Sequence, residues 1–509
     1  MPTLRKKLKI AHVSPEVDPF AKTGGLAEVA NALPRALHQL KHEVIVITPL
    51  HSRITSKKTH SLKKVFTDVE IELSEGLTKK FSCWQGELEP GLPVYFIDHG
   101  QYFGQSKQVY GTEHKNARWF FFDLAVIKLL ELLEFQADVI NCHDWPSALI
   151  PYFLRKRFQK NPFLSKMATQ LTIHNLVFQS GINWWQIPKR YRLDPNSRLP
   201  HFKKSVAVER INFIKRGIVN TDIINTVSEQ YAQEILTKNF GQDLHRILVN
   251  RKERVFGIVN GISYEAYNPA TDPGLAARYD SKNMSGKAKN KKDLQRYFGL
   301  PTRADVPLLG MATRITEQKG IELLMKTLPR LLTSDIQFVI MGSGDKQYEQ
   351  FFRKLTRQFP DKVGAHLEFD AKRATEVYAG SDMFLMPSRF EPCGLGQLIS
   401  LRYGSIPIVR AIGGLADTVI DYNPRKGQGN GFVFKGYTPS YLLIAITRAL
   451  ETYHRPKEWE KLVTKGMSQS YSWEIPAKKY VALYRRAIKR RADEIKKKNG
   501  NGHKIKKNK

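Results

Sequence analysis

Cysteine is scarce in this chain of 509 residues, which has three: Cys83, Cys142 and Cys393. They lie far apart without the spacing of metal ligands, so we expect neither a disulfide scaffold nor a zinc site. The chain also has no apolar run long enough to span a membrane, and the run behind its basic N-terminal residues is too short for a signal peptide. These absences predict a cytoplasmic protein without a membrane partner.

Acidic residues are also few, since 48 Asp and Glu stand against 81 Lys and Arg, for a formal net charge of +33. Part of this excess lies in the C-terminal segment 485–509, which we expect to form a solvated helix face and a disordered end. Binding of this segment to nucleic acid or another polyanion is the alternative hypothesis. No nucleic-acid-binding motif accompanies the charge, which disfavours that alternative.

The dinucleotide fingerprint G-x-G-x-x-G is missing from both halves of the chain, which disfavours a hydride-transfer enzyme. The composition is otherwise that of a soluble globular protein, with 41% hydrophobic and 25% charged residues. A chain of this length is too long for a single core, so two or three domains are expected.

Residues 386–419 contain the clearest structural pattern. A buried strand ends at Met386, a loop carries the carboxylate of Glu391, and a helical pattern begins at Gly394. A second buried strand follows, and then a Gly-Gly pair before another helix. This βαβα pattern predicts a parallel sheet with a site at the carboxyl ends of its strands, as in an enzyme.

The N-terminal region has a similar pattern, with a strand over 9–13, the pair Gly24 and Gly25, and a helix over 26–40. Two glycines before a helix, beside the charge of Lys22, would let backbone N–H groups approach an anion. A tight turn without a ligand is the simpler interpretation of one such pair. Because the other half contains a second Gly-Gly pair, two similarly built domains are predicted.

Polar side chains follow two further predicted strands of the first half. Asp144 comes after strand 137–142, and His174 and Asn175 come after strand 170–173. Each could simply cap a helix. Together they favour a ligand site at the carboxyl edge of an open sheet.

Two other segments are predicted to lie at the surface. Residues 183–202 are rich in Trp, Pro and Arg, and their Trp184, Trp185 and Tyr191 could stack on sugar rings or pack onto the domain. Residues 280–292 are rich in Lys, Asn, Ser and Gly, so we expect them to be exposed.

Short motifs in both halves match one known family. In chain order they are K-T-G-G-L at Lys22, H-D-W at His143, H-N-L at His174, N-G-I at Asn260, R-I-T-E-Q-K-G at Arg314, P-S-R-F-E-P-C-G-L at Pro387, R-Y-G-S-I-P-I-V-R at Arg402, G-G-L-A-D-T-V at Gly413 and Y-S-W at Tyr471. By these motifs the chain resembles, over residues 9–484, the bacterial glycogen synthases. These belong to the retaining glycosyltransferases that include the plant starch synthases.

The resemblance implies a GT-B fold, in which two Rossmann-like α/β domains face each other across a cleft and a C-terminal helix crosses back to the first domain. The expected parts are an N-terminal acceptor and catalytic domain (1–256), a nucleotide-sugar domain (257–471), the crossover helix (472–491) and a basic, disordered tail (492–509).

The resemblance also implies transfer of glucose from ADP-glucose to the non-reducing 4-hydroxyl of an α-1,4-glucan such as glycogen, with retention of configuration. UDP-glucose is the alternative donor, and a glucan-binding protein with weakened catalysis is the alternative function. No D-x-D motif is present, so no metal or other cofactor is expected.

The residues that match the family's motifs fall into three groups. The catalytic group is His174, Arg314, Lys319 and Glu391. In this group, Arg314 and Lys319 would neutralise the departing diphosphate, and Glu391 would contact the donor glucose. The donor- and phosphate-binding group is Lys22, Gly24, Gly25, Gly414, Leu415 and Thr418. The sugar-binding group is Asp144, Asn175, Cys393 and Gly394.

Several positions depart from the family pattern. Glu28 stands where Asp usually follows G-G-L-A, Ser263 where the turn usually reads N-G-I-D, and Gly396 where Thr is usual. The usual Asp-Arg-Pro stretch is not recognisable over residues 99–103, which motivates the alternative of weakened catalysis. Ile399 stands where wider families have a second Glu, so no ribose ligand is assigned.

Overall fold

The computed structural model describes residues 7–52, 54, 61–105, 108–110, 115–180, 208, 211–368 and 370–506. The predicted surface insertion, with Trp184, Trp185 and Tyr191, lies outside the described residues. The chain forms two compact units. The first comprises Met1–Val227, Ala232–Ile258 and Trp473–Lys509, and the second comprises Ser228–Tyr231 and Val259–Ser472.

The first unit is built on a nine-stranded sheet. Its strands are β1 (Lys9–Val13), β2 (Glu43–Pro49), β3 (Lys63–Ser74), β4 (Leu77–Glu89), β5 (Leu92–Asp98), β6 (Val139–His143), β7 (Ala168–Ile173), β8 (Ile223–Thr226) and β9 (Val255–Gly257). Their order is β3-β4-β5-β2-β1-β6-β7-β8-β9, and every pair is parallel except β3–β4 and β4–β5. Central strands such as β6 are buried at every position, because a parallel sheet is covered on both faces.

The second unit has a six-stranded sheet. Its strands are β10 (Leu308–Ala312), β11 (Gln337–Met341), β12 (Val363–His366), β13 (Met383–Met386), β14 (Ile406–Arg410) and β15 (Phe432–Phe434). Their order is β12-β11-β10-β13-β14-β15, and all pairs are parallel. The prediction of two Rossmann-like α/β domains is confirmed.

Helices connect the strands. In the described residues they are α1 (Gly25–Gln39), α2 (Lys115–Leu132), α3 (Leu149–Lys156), α4 (Phe213–Asn220), α5 (Glu229–Glu234), α6 (His245–Val249), α7 (Ser285–Tyr297), α8 (Ile321–Leu331), α9 (Lys346–Gln358), α10 (Ala371–Gly380), α11 (Gly396–Arg402), α12 (Gly413–Thr418), α13 (Pro439–Tyr453), α14 (Pro456–Ser468) and α15 (Glu474–Lys506). Single helical turns lie at Gly100–Gly104, Trp145–Ser147, Lys252–Arg254 and Glu317–Lys319.

The C-terminal helix α15 returns to the first unit, as predicted, and packs against α1, β6, β7 and β8. The expectation that the chain is disordered from residue 492 onward is corrected for 492–506, which continue this helix. The first turns of that stretch contain Ala492, Glu494 and three consecutive lysines, which are good helix formers. Glu494 also binds Arg254 of the first unit at 3.1 Å, which holds the extension in place.

The prediction that residues 280–292 are exposed is wrong for part of this segment. Most of it belongs to α7, on which Lys291 is buried with its Nζ 2.7 Å from a carboxylate oxygen of Asp382. Lys287 donates to three backbone carbonyls at 3.0 to 3.1 Å, and burial lowers its pKa to about 7. Burial is tolerated because each N–H of the amine has an acceptor.

Candidate active site

In the second unit, Lys319 and Glu391 meet where β10 and β13 end. Lys319 Nζ lies 2.6 Å from Glu391 Oε2, and their side chains are 15% and 8% exposed. Ser388 donates a second hydrogen bond to the same oxygen at 3.1 Å. Each of the two charges is therefore compensated in a mostly buried environment.

Hydrogen bonds join the two loops that carry this pair. The Arg389 N–H donates to the Gln318 carbonyl at 2.8 Å, and the Gln318 side chain donates to the Phe390 carbonyl at 3.3 Å. Gly320 has a φ of 73°, and a Cβ there would lie 2.0 Å from the Pro387 carbonyl oxygen. Glycine is therefore required for the loops to approach this closely.

The glycine pair that opens α12 packs against the Glu391 loop. The Gly414 N–H donates to the carbonyls of Glu391 and Pro392 at 3.1 and 3.2 Å. A Cβ on Gly413 would lie 1.9 Å from the Glu391 carbonyl oxygen, and one on Gly414 would lie 2.2 Å from that of Cys393. The pair thus has a packing role, and the Gly414 N–H, expected to face phosphate, is hydrogen-bonded within the protein.

Gln397, which the sequence analysis did not assign, joins α11 to α12. Its Nε2 donates to the carbonyls of Cys393 and Gly394 at 3.1 and 2.9 Å and to the Thr418 hydroxyl at 3.1 Å. Thr418 donates in turn to the Gly414 carbonyl at 2.6 Å. Four predicted site residues therefore lie in one hydrogen-bonded group. Burial raises the pKa of the Cys393 thiol to about 12, so this side chain is neutral.

Two other predicted residues of the second unit are placed differently. Arg314 is exposed just after β10, where its carbonyl accepts the Thr316 N–H at 3.0 Å. Leu415 is fully buried, so only its backbone could face a ligand. That backbone N–H donates to the Ile412 carbonyl at 3.1 Å.

In the first unit, Asp144 connects the ends of β6 and β7. Its Oδ1 accepts the His174 N–H at 2.6 Å, and its own N–H donates to the Thr172 carbonyl at 2.9 Å. Burial raises the pKa of Asp144 to about 7, although hydrogen bonds from the His174 and Asn175 backbone oppose the rise. Asn175 Oδ1 accepts the Val177 N–H at 3.1 Å. Three predicted residues, Asp144, His174 and Asn175, are thus brought together.

Lys22 lies beside two carboxylates, at 2.7 Å from Glu28 and 3.2 Å from Asp18. Burial works against the ammonium charge, but these carboxylates together raise the pKa of Lys22. Glu28, which replaces the family's usual Asp, still reaches this lysine. Gly24 and Gly25 are exposed at the start of α1.

Glu16 is a second residue that the sequence analysis did not assign. Its carboxyl accepts the backbone N–H groups of Thr23 and Gly24 and a hydrogen bond from Tyr110. Burial raises the pKa of Glu16 to about 7, and the Glu16 charge adds to the rise at Asp144. The N–H groups expected to approach an external anion are therefore partly satisfied by a carboxyl of the protein itself.

Two family models match the chain. The starch synthase catalytic domain matches residues 9–250, and glycosyl transferases group 1 matches residues 298–465. The glycogen synthase of Moorella thermoacetica is 44% identical over 491 residues, covering 96% of this chain and 98% of the relative. That of Thermosipho africanus is 42% identical over 496 residues, covering 95% and 100%. The chain belongs to the glycogen and starch synthase family.

Solved structures agree with this membership. The catalytic domain of starch synthase IV from Arabidopsis thaliana, bound to ADP and acarbose, is 34% identical with a TM-score of 0.83, and the match covers 95% of this chain and 100% of that one. Sucrose-phosphate synthase from Thermosynechococcus elongatus, at 19% identity and a TM-score of 0.57, shares the fold, and the match covers 94% and 98%. The predicted glycogen and starch synthase resemblance is confirmed, and the protein is a glycosyltransferase.

Membership of the glycogen and starch synthase family leaves the individual residue roles as predictions. Within the described residues, no group of three or more His, Cys, Asp or Glu side chains is placed to hold a metal ion. The absence of a metal cofactor stays a prediction. None of the described helices is both long and apolar enough to cross a membrane.

Proposed function

We propose that this protein transfers glucose from ADP-glucose to the non-reducing 4-hydroxyl of an α-1,4-glucan, with retention of configuration. The observation that carries the proposal is the mostly buried Lys319–Glu391 pair, whose charged atoms lie 2.6 Å apart where two parallel strands end. The glycogen synthase relatives at 44% and 42% identity support the glucan acceptor. The related starch synthase structure that holds ADP supports the adenine nucleotide over the uridine one.

The leaving group of such a donor is a nucleoside diphosphate, on which negative charge develops as the glycosidic bond breaks. Lys319 would stabilise that charge, assisted by Arg314 and by helix N-termini of the second unit. Because Glu391 and the loop contacts hold Lys319 in place, its ammonium is positioned before the donor binds. These cations, and no divalent metal, are proposed to neutralise the diphosphate, since the sequence has no D-x-D motif.

Glu391 is proposed to contact the donor glucose, either at a hydroxyl or near the positive charge that develops at the anomeric carbon. Its carboxylate is held by Lys319 and Ser388, which makes it a weak nucleophile. This favours a front-face attack, in which the departing phosphate takes the proton of the acceptor hydroxyl. His174, Asp144 and Asn175 are proposed to contact glucosyl hydroxyls.

The test incubates purified protein with glycogen and labelled ADP-glucose or UDP-glucose side by side. We expect faster incorporation from ADP-glucose, and a loss of about 100-fold or more in Glu391→Gln. The matched control is Arg303→Ala, which breaks an exposed pair with Asp335 in the same unit and should leave the rate unchanged. Incorporation from UDP-glucose alone would overturn the donor, and none from either would overturn the synthase function.

One observation favours a second candidate, a glucan-binding protein with weakened catalysis. The turn Gly100–Gly104, where the family's Asp-Arg-Pro stretch is not recognisable, buries Tyr102 and Phe103. His99 stacks on Tyr102 with ring centroids 4.5 Å apart, so an aromatic cluster occupies this region. Retention of the protein on glycogen without incorporation from either donor would favour this candidate.

A further inference from the structure

Three histidines follow a diagonal across neighbouring parallel strands of the first unit: His12 lies in β1, His143 ends β6, and His174 comes one residue after the end of β7. His12 of β1 pairs in register with Asn141 of β6, and His143 of β6 pairs in register with Thr172 of β7. His12, His143 and His174 therefore form a diagonal row on one face of the sheet, because residues two apart in a strand share a face.

Hydrogen bonds join the members of this row. His12 Nδ1 lies 3.2 Å from His143 Nε2, and His143 Nδ1 lies 2.9 Å from His174 Nε2. At the other end, the Tyr484 hydroxyl of α15 lies 3.4 Å from His12 Nε2. His12, His143 and Tyr484 are fully buried, whereas His174 is half-buried at the end of the row.

The direction of these hydrogen bonds is set by Asn141. The Gln170 amide donates to the Thr172 hydroxyl at 3.4 Å, so that hydroxyl gives its proton to Asn141 Oδ1 at 2.8 Å. The Asn141 NH2 group therefore faces His143 Nε2 and the Tyr484 oxygen, each at 3.1 Å. A nitrogen that accepts a hydrogen bond carries no proton, so Nε2 of His143 is bare.

Each histidine in the row is neutral. Burial lowers the pKa of His12 and His174 to about 3 and that of His143 well below its usual range. A neutral imidazole has one proton, so His143 holds it on Nδ1 and donates it toward His174 Nε2. Tyr484 accepts from Asn141 and so donates to His12, which gives His12 the same tautomer.

We propose that Tyr484, His12, Asn141 and His143 form a directional hydrogen-bonded relay that holds His174 in a single neutral tautomer, with its proton on Nδ1. Within the described residues, Nδ1 of His174 has no hydrogen-bond partner, so this N–H is available to a ligand. His174 then acts as a hydrogen-bond donor and not as a base. His143 is a positioning residue, since it acts through His174.

The first test measures nitrogen chemical shifts of ¹⁵N-labelled histidines in the wild-type protein, which distinguish protonated from bare ring nitrogens. We expect His12, His143 and His174 each to have a protonated Nδ1 and a bare Nε2 near neutral pH. A proton on Nε2 of His174, or a mixture of tautomers there, would overturn the relay. This measurement needs no substrate, so it succeeds or fails independently of the proposed function.

The second test inverts the relay with Asn141→Asp. A carboxylate accepts where the amide donated, so His143 must donate through Nε2, and its bare Nδ1 must then accept from His174. We expect the His174 proton to move to Nε2. If the proposed function holds, kcat should also fall about 10-fold, because His174 loses its outward donor. An unchanged His174 tautomer in the folded variant would overturn the proposal.

The matched control is Asn225→Asp. Asn225 of β8 donates to the Tyr480 hydroxyl at 3.0 Å and is buried like Asn141, but it contacts no histidine of the relay. We expect a similar loss of thermal stability with the His174 tautomer and kcat unchanged. A tautomer change in this control would show that any buried charge disturbs the row, and would overturn the specific role of Asn141. Should Asn141→Asp fail to fold, the wild-type spectrum alone decides.

Discussion

The two groups of predicted site residues lie at equivalent ends of their sheets and yet handle charge in opposite ways. In the second unit, Lys319 and Glu391 form an ion pair with their charged atoms 2.6 Å apart. At the ends of β6 and β7 in the first unit, burial favours the neutral forms, since it raises the pKa of Asp144 to about 7 and lowers that of His174 to about 3. The first group is therefore suited to hydrogen bonding with neutral hydroxyls, and the second to stabilising a charged leaving group.

Removing the cation of the charged group should have the largest effect. In Lys319→Ala we expect kcat/KM to fall by about 100- to 1000-fold, because a donor aimed at the developing charge is lost. Glu391 is also left unpaired, so the melting temperature should fall too. The double variant Lys319→Met with Glu391→Gln should recover stability without recovering activity. Recovery of both would contradict a role of this pair in transfer.

Glu16, whose charge adds to the rise in the pKa of Asp144, should make the stability of the protein depend on pH. The pKa of Glu16 rises from 4.5 to about 7 on folding. The contribution of Glu16 to the free energy of unfolding is therefore complete below pH 4.5 and is lost as the pH rises to about 7. The loss amounts to about 3 kcal/mol of unfolding free energy. Glu16→Gln should flatten that fall in denaturant unfolding measured from pH 4.5 to 8. The exposed Glu75→Gln is the control, and equal slopes in both variants would contradict the burial effect.

Replacing a carboxylate by the corresponding amide should reduce activity far less in the neutral group than in the charged group. Asp144→Asn keeps an oxygen that can accept the His174 N–H, so we expect about 1 kcal/mol of lost stability and less than about 10-fold loss of kcat. Glu391→Gln, which removes a compensated charge, should lose far more activity. A larger loss in Asp144→Asn than in Glu391→Gln would reverse the comparison.

The exposed pairs of Lys22 should contribute least to stability. Lys22→Met breaks its contacts with Glu28 and Asp18, and we expect less than about 1 kcal/mol of change in the free energy of unfolding. That small change should shrink further in high salt. If Lys22 binds the donor's phosphate as predicted, KM for the donor should still rise, and an unchanged KM would contradict that role.

Much of this fold could be predicted from the sequence because its strands are short apolar runs with clear ends. Asp144 and His174 were chosen as candidates for the same reason, since each follows the end of such a run, and Glu391 was chosen from the loop after the strand that ends at Met386. Glu16 was missed because its partners, the N–H groups of Thr23 and Gly24, are defined by a turn and not by a motif. A signal existed for Gln397, which is a polar residue beside the apolar Leu398 and Ile399 in the first turn of α11.

Other features depend on contacts that local periodicity does not encode. His12 lies inside β1, where no sequence motif distinguishes it from its neighbours. Its proposed place in the relay follows only from its register with Asn141. Lys287 and Lys291 are part of a lysine-rich segment, whose composition predicts that it is exposed to solvent. The carbonyls that accept from Lys287, and the Asp382 carboxylate that pairs with Lys291, lie about 90 or more residues further along the chain.

The position of α15 has a consequence for the order in which this protein can be completed on the ribosome. Tyr480, Tyr484 and Ala487 belong to the same hydrophobic core as Leu8 and Ile10, near the opposite terminus. When a nascent chain has left the ribosome as far as residue 258, it contains all strands of the first sheet but no part of α15, the helix that packs on that sheet. The unit that is synthesised first is therefore the last to be finished, and its exposed apolar face needs protection, by a chaperone for instance, while the second unit is translated.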